Sequence, residues 1–339
     1  MRAALVEAVG RPPVVTHVPD PPRRPGEALV RIAAATLNPV ELHIWNGHFF
    51  DGPPRPPYVI GVEGVGVVEE GDRLASGTRV RVEYVHPGYG RHGAIAEYAV
   101  APEEPDARDR ASQASVAPIS GALDDAAAAA LGVSAFTALM ALERAQRAGA
   151  AIEGAHVLVL GATGAVGVIA VQLAKLLGAA RVVAAGRSAE RLERARELGA
   201  DATVQLSEEL EAHGLLSRFS EAAHDRLDIA VDPLWGKPAR AAIDALTHGG
   251  VYVSFGQAVS PSAELSGIPL RNRGVTVVGH SGAWATPQER QAALARVHAL
   301  AERGGGLTID TRQFALDELP EAWDRLLRSA GGKLVIRPR

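Results

Sequence analysis

Two groups of residues have the types and spacing to do chemistry. Gly161, Ala162, Thr163, Gly164, Ala165, Val166 and Gly167 follow the apolar run 157–160 and open a stretch where Val166, Ile169, Ala170, Leu173 and Leu177 recur at helical spacing. Strand, glycine turn and helix in that order make a dinucleotide site. Without a Cβ the backbone can turn tightly and approach a pyrophosphate, at which the free amides of the helix N-terminus then point. Gly164 and Gly167 fit that task, although Ala162 stands where G-x-G-x-x-G would have its first glycine. A second apolar strand, 182–185, ends in Gly186, Arg187 and Ser188, with Arg191 a turn later. An acidic residue there would take the adenosine ribose and repel a 2′-phosphate; a guanidinium instead pairs with that phosphate, so these residues favour NADPH. The plainer alternative is that Arg187 and Arg191 are ordinary solvated arginines.

The elements that must position these groups can be read from periodicity and punctuation. After Gly186 the pattern continues as helix 189–198, strand 203–206, a polar helix, strand 229–232, helix 238–246, and strands 251–255 and 275–279. Six strands with intervening helices predict an α/β, doubly wound parallel sheet whose ligand crevice lies at the carboxyl ends of the strands. Residues 161–166, Asp232 with Pro233 and Leu234, and Phe255 with Gly256 and Gln257 then line one cleft. Residues 1 to about 120 are instead β-rich, with short apolar pieces at 3–6, 28–34, 65–68, 80–85 and 94–100 between prolines and glycines. A loop is expected over 102–118 and two helical stretches over 123–147. The tail predicts helix 287–303, a strand near 307–309, a helix capped by Asp317 and a strand 333–336. The domains expected are 1–122, completed by 283–339, and 123–282. The apolar edge strand 275–279 would leave its backbone unpaired, which predicts pairing with a second copy as a homodimer.

Composition narrows the partners. A net charge of −4 over 339 residues leaves no basic footprint for nucleic acid and no polybasic membrane patch. The absence of cysteine excludes disulfides and thiolate-bound zinc and fits a reducing, cytoplasmic setting. The apolar part of the N-terminus is too short for a signal peptide, and no run is long enough for a membrane span. A small molecule is the expected partner.

Further segments carry a likeness. Leu37-Asn38-Pro39, residues 61–66 (Gly61-Val62-Glu63-Gly64-Val65-Gly66), Ala96-Glu97-Tyr98, residues 132–138, the 161–167 turn, Gly249-Gly250 and residues 332–335 (Gly332-Lys333-Leu334-Val335) occur in one order along the chain. Together they resemble the medium-chain dehydrogenase/reductase superfamily, within it the zinc-independent quinone and enone reductases, and the resemblance spans the whole chain. It implies a GroES-like β-rich catalytic domain completed by the C-terminal segment, with a Rossmann nucleotide domain inserted. Alanine at 162 is common in these reductases. Zinc-dependent relatives have cysteine where Asn38 stands and histidine where Val62 stands, and neither replacement is a tetrahedral zinc ligand, so no metal is expected. By the same resemblance Asn38 and Thr137 bond the nicotinamide ribose, and Lys333 joins the cofactor contacts.

Without a metal to polarise it, the acceptor of the hydride must be electrophilic by conjugation: a quinone or an α,β-unsaturated carbonyl. Related enoyl-thioester reductases carry a tyrosine acid at the position of Phe49, so another group must relay the proton. Glu41, His43 and His48 are the candidates, and His43 matches a relay position in some zinc-dependent relatives. Imidazole titrates in the right range, but histidines beside Trp45 and Phe49 suit half-buried packing equally well. Trp45, Phe49, Phe50 and Tyr58 are expected to line an apolar pocket for a flat substrate, and aromatics are also what a core needs. His43, His48 and Glu63 lack ligand spacing for another metal site. Two other functions stay open: a ketone or alcohol dehydrogenase or imine reductase acting on a biosynthetic intermediate, and a dinucleotide-binding protein without turnover.

Overall fold

The apolar run before the glycine turn folds as a parallel strand, His156–Leu160, buried along nearly its whole length in a computed structural model that describes residues 1–49, 52–84, 87–104, 113–119, 121, 123–207, 211–303, 306–329 and 331–339. Strands buried on both faces read as continuous hydrophobic runs because neither side meets water. This one lies inside a six-stranded sheet ordered Ala202–Gln205, Arg181–Gly186, His156–Leu160, Ile229–Asp232, Val251–Ser254, Thr276–Gly279. All the pairings are parallel, with Val157 opposite both Val182 and Ile229. The chain moves outward from His156–Leu160 to one edge, then restarts on its other side, which makes the carboxyl end of that strand the topological switch point. Helices Ala165–Leu176, Ala189–Glu197, Ala212–Ala222 and Lys237–Ala245 link the strands. The result is the Rossmann fold expected.

The chain divides into two compact units, Met1–Val133 with Ala285–Arg339, and Ser134–Trp284. The first boundary falls at 133/134 because the alanine helix Asp125–Ala130 packs on Ala34, Val65 and Val335 of the first unit. Alanines allow that close approach.

The first unit has a small sheet, Val14–His17, Arg2–Val6 and Tyr58–Val59, and a larger one of seven strands. In the larger sheet Glu27–Leu37 is central, flanked by Lys333–Arg337 and Glu63–Glu70, so the C-terminal segment completes the domain. This is the GroES-like, largely antiparallel assembly that the N-terminal punctuation predicts. The short helix Pro39–Trp45 leaves the end of Glu27–Leu37 and carries the histidine loop.

Three expectations fail in detail. The strand expected at 307–309 is instead Thr311–Ala315, an edge strand with only Phe314 buried, which gives no alternation to detect. Asp317 lies in a 3-10 turn, and helix Leu319–Leu327 starts from Glu318. Part of the 102–118 loop is a strand, Ser115–Pro118, paired with Arg79–Glu83.

Candidate active site

In the nucleotide unit, glycines act where loops press together. Gly161 takes φ +63°, the left-handed region that favours glycine, and a Cβ there would meet Pro233 Cγ at 2.8 Å. A Cβ on Gly167 would overlap the Gly161 carbonyl, and one on Gly186 would overlap the Thr163 side chain. Gly256 packs as tightly on the Pro233 carbonyl, 2.6 Å from where its Cβ would be. The Phe255 amide donates to Asp232 O at 2.9 Å and the Ala258 amide to Pro233 O at 3.0 Å, so the loop through Phe255, Gly256 and Gln257 is laced to Pro233 and Leu234. Asp232 fixes that turn from beneath: fully buried, it accepts from the Leu234 amide (2.6 Å), the Trp235 amide (2.9 Å) and the Tyr252 hydroxyl. The three strand ends anticipated in one cleft are thus held together.

Gly164 is the N-cap of helix Ala165–Leu176, and no side chain caps it. The amides of Ala165, Val166 and Gly167 therefore lack helical partners and carry the positive end of the dipole, which suits a pyrophosphate. At the end of Arg181–Gly186, Ser188 caps the next helix by accepting from the Arg191 amide at 3.3 Å, and Gln205 donates to the Arg187 carbonyl at 3.1 Å. Both fix the turn's backbone. The Arg187 guanidinium is exposed and makes no hydrogen bond or ion pair among the described residues. Thr137 sits half-buried on helix Val133–Arg147.

The first unit contains a buried ionic cluster. Glu63 Oε1 accepts from Lys333 Nζ (3.1 Å), Asn38 Nδ2 (3.1 Å) and the Thr36 hydroxyl, while Oε2 accepts from Arg81 Nη1 (3.2 Å) and the Val133 amide (2.6 Å). Lys333 also donates to Asn38 Oδ1, and Asn38 Nδ2 to Thr36 Oγ1 at 3.1 Å. Arg81 Nη2 reaches the Ala128 carbonyl and stands 3.3 Å from His298 Nε2. All these side chains are buried. Burial alone would raise the Glu63 carboxyl, but Lys333 and Arg81 outweigh it and hold it below the usual range. Burial, then Arg81 and Arg79, lower His298 to about 4, so it is neutral and can accept from Arg81. A Cβ on Gly132 would overlap both Glu63 and Arg81, which accounts for glycine there.

The proposed proton relays do not converge. Glu41 is buried, its oxygens accepting from the Asn38 and Val62 amides, the latter at 3.0 Å, while His43 and His48 are exposed. Residues two apart on a helix face different ways, so Glu41 turns inward and His43 outward. Burial pushes Glu41 up to about 8 against the pull of those amides and Lys333. Partial desolvation, then His48, lowers His43. The aromatic residues are also differently employed. Phe49 and Tyr58 belong to the hydrophobic core, with Phe49 tilted against Tyr89 at 6.4 Å. Trp45 packs edge-on to Trp323 at 5.4 Å and donates to the Arg11 carbonyl. Phe50 lies outside the described residues.

The residues do not fit a catalytic zinc. Asn38 and Val62 offer neither thiolate nor imidazole, the Asn38 carbonyl oxygen accepts from an ammonium, and Lys333 and Arg81 place two positive charges around the Glu63 carboxylate. Among the described residues no three histidines, cysteines or carboxylates come together.

The model of the alcohol dehydrogenase GroES-like domain matches residues 24–106, and that of the zinc-binding dehydrogenase domain matches residues 165–299. An alcohol dehydrogenase of Rhizobium meliloti is 31% identical over 261 residues, 69% of this chain and 71% of that protein. The quinone oxidoreductase of Mus musculus is 25% identical over 345 residues, 99% and 97% of the two chains. Among solved structures, the quinone oxidoreductase of Thermus thermophilus, crystallised also in complex with NADPH, superposes with a TM-score of 0.76 at 29% identity, over 99% of this chain and 100% of that one.

Proposed function

The chain belongs to the medium-chain dehydrogenase/reductase superfamily, and from that premise we propose that it is an NADPH-dependent, zinc-independent reductase of quinones or activated double bonds. NADPH supplies the hydride from C4 of its nicotinamide. The turn 161–167 holds the pyrophosphate on its helix amides, and Arg187 and Ser188 take the 2′-phosphate. Thr137, Asn38 and Lys333 are the groups offered to the nicotinamide ribose.

The observation that carries the reaction class is the Lys333–Glu63–Arg81 cluster. A site built around an ammonium and a guanidinium repels a divalent cation, so the acceptor carbon must be electrophilic through its own conjugation. Hydride addition leaves a negative charge on the conjugated oxygen. The proton that neutralises it comes from water, directly or relayed through the exposed His43, whose imidazole takes a proton at one nitrogen as it gives one up at the other; Glu41 is buried, its oxygens accepting from two main-chain amides.

Turnover of NADPH against a panel of quinones, enones and simple ketones, before and after chelator treatment and with metal analysis, tests the proposal. Quinone or enone reduction that survives the chelator is expected. Activity confined to ketones, or stoichiometric zinc lost together with activity, refutes it. As part of the same reading, the half-exposed edge strand Thr276–Gly279, followed by Trp284 at 73% exposure, pairs with a second copy. A monomer in sedimentation equilibrium would refute that element.

A further inference from the structure

We propose that Glu63 is a positioning residue for the cofactor: its carboxylate sets the Asn38 amide so that this side chain can accept a hydrogen bond from a ribose hydroxyl and cannot donate one. The inference rests on the reading that NADPH binds here, and the hydrogen bonds of the cluster carry it.

A primary amide has two donor hydrogens and one oxygen with two lone pairs. Both hydrogens of Asn38 are spent, on Thr36 Oγ1 and on Glu63 Oε1, each at 3.1 Å. Its oxygen faces the Lys333 ammonium, which can only donate. Turning the amide over would set NH2 against an ammonium and C=O against a carboxylate, so the orientation is fixed by charge. One lone pair on Oδ1 is left, and a sugar hydroxyl is a donor that matches it.

Glu63 is the one group that touches every part of this arrangement. Oε1 gathers Thr36, Asn38 and Lys333; Oε2 is anchored by Arg81 and the Val133 amide, and Arg81 in turn by the Ala128 carbonyl and His298. With the carboxylate fully buried, neutralising it removes the counter-charge to which both buried cations are hydrogen-bonded and frees the Asn38 amide to rotate.

The test compares NADPH with adenosine 2′,5′-bisphosphate, which lacks the nicotinamide ribose and meets only the adenosine end of the site. Glu63→Gln is expected to weaken NADPH about tenfold and leave the bisphosphate unchanged. Because that substitution risks the fold, Thr36→Val serves as a second probe. It removes only the hydroxyl that bonds Glu63 and Asn38, and should give a smaller loss in the same direction, while Thr36→Ser, which keeps the hydroxyl, restores binding. Equal weakening of both ligands would mean that Glu63 acts only through the fold, and unchanged NADPH binding in both Glu63→Gln and Thr36→Val would mean that it positions nothing. Either result overturns the inference. Failure of the unaltered protein to bind either ligand would instead overturn the cofactor reading on which it rests.

Discussion

Replacing Arg187 by alanine isolates the choice between the two nicotinamide dinucleotides. The guanidinium has no partner among the described residues, so its removal breaks no native contact and thermal stability should not change. The backbone it stands on is held separately, by Gln205 on its carbonyl at 3.1 Å and by Ser188 capping the following helix. What is lost is a charge-assisted hydrogen bond to a phosphate, worth about 1.5–3 kcal/mol. Because Arg187 is exposed, solvent and salt screen it, and the lower end, about 1.5 kcal/mol or roughly tenfold in Kd, is the expected value. Fluorescence titration of reduced cofactor should therefore show NADPH binding about tenfold weaker and NADH binding nearly unchanged. The gap between the unaltered protein and the variant should narrow as salt is added. Equal losses for both cofactors, or a gap indifferent to salt, would show that Arg187 does not read the 2′-phosphate.

Two further substitutions probe other parts of the site. Gly186→Ala places a methyl on the Thr163 side chain and should destabilise by about 1–3 kcal/mol, an overpacking cost, in thermal denaturation; Thr163→Ala combined with it should recover most of the loss, and simple additivity of the two would refute the contact. Glu41 is raised from 4.5 to about 8, so the folded state holds a proton that the unfolded chain releases. The sign follows: its contribution is fully present below 4.5 and is lost as pH rises to about 8. Urea denaturation across that range should show Glu41→Gln losing less stability with rising pH than the unaltered protein, and parallel profiles would refute the shift.

The nucleotide unit was the legible part because its signals are local. A buried parallel strand is a continuous apolar run, its glycine turn and helix follow within a few residues, and the alternation repeats until the sheet is complete. Arg187 could be singled out for the same reason, since the residue that reads the ribose stands at a fixed place after the second strand. The catalytic unit was harder. Its edge strands, such as Thr311–Ala315, bury too little to leave a pattern, and its aromatics serve the core as readily as they would serve a pocket. Glu41 does carry a local signal: Asn38, Pro39 and an acid at the third helical position form a helix start, a capping pattern.

The ionic cluster was illegible for a different reason. Glu63 looks like one acidic residue at the start of a strand, Arg81 like strand polarity, and Lys333 comes from a segment near the end of the chain. No spacing links them, because antiparallel pairing of Glu27–Leu37 with both Glu63–Glu70 and Lys333–Arg337 is what brings them together. Asparagine at 38 and valine at 62 offer no thiolate or imidazole, and the cluster shows what they do instead. Here the asparagine is bonded through both ends of its amide to a carboxylate and an ammonium, and the valine amide holds Glu41. Such a network, with one lone pair of the asparagine oxygen left over, is an electrostatic environment better suited to the donor hydroxyl of a bound sugar than to a divalent ion. That distinction supports placing the chain among reductases whose acceptors need no Lewis acid, and it makes Glu63 rather than any histidine the residue whose alteration most directly tests the site.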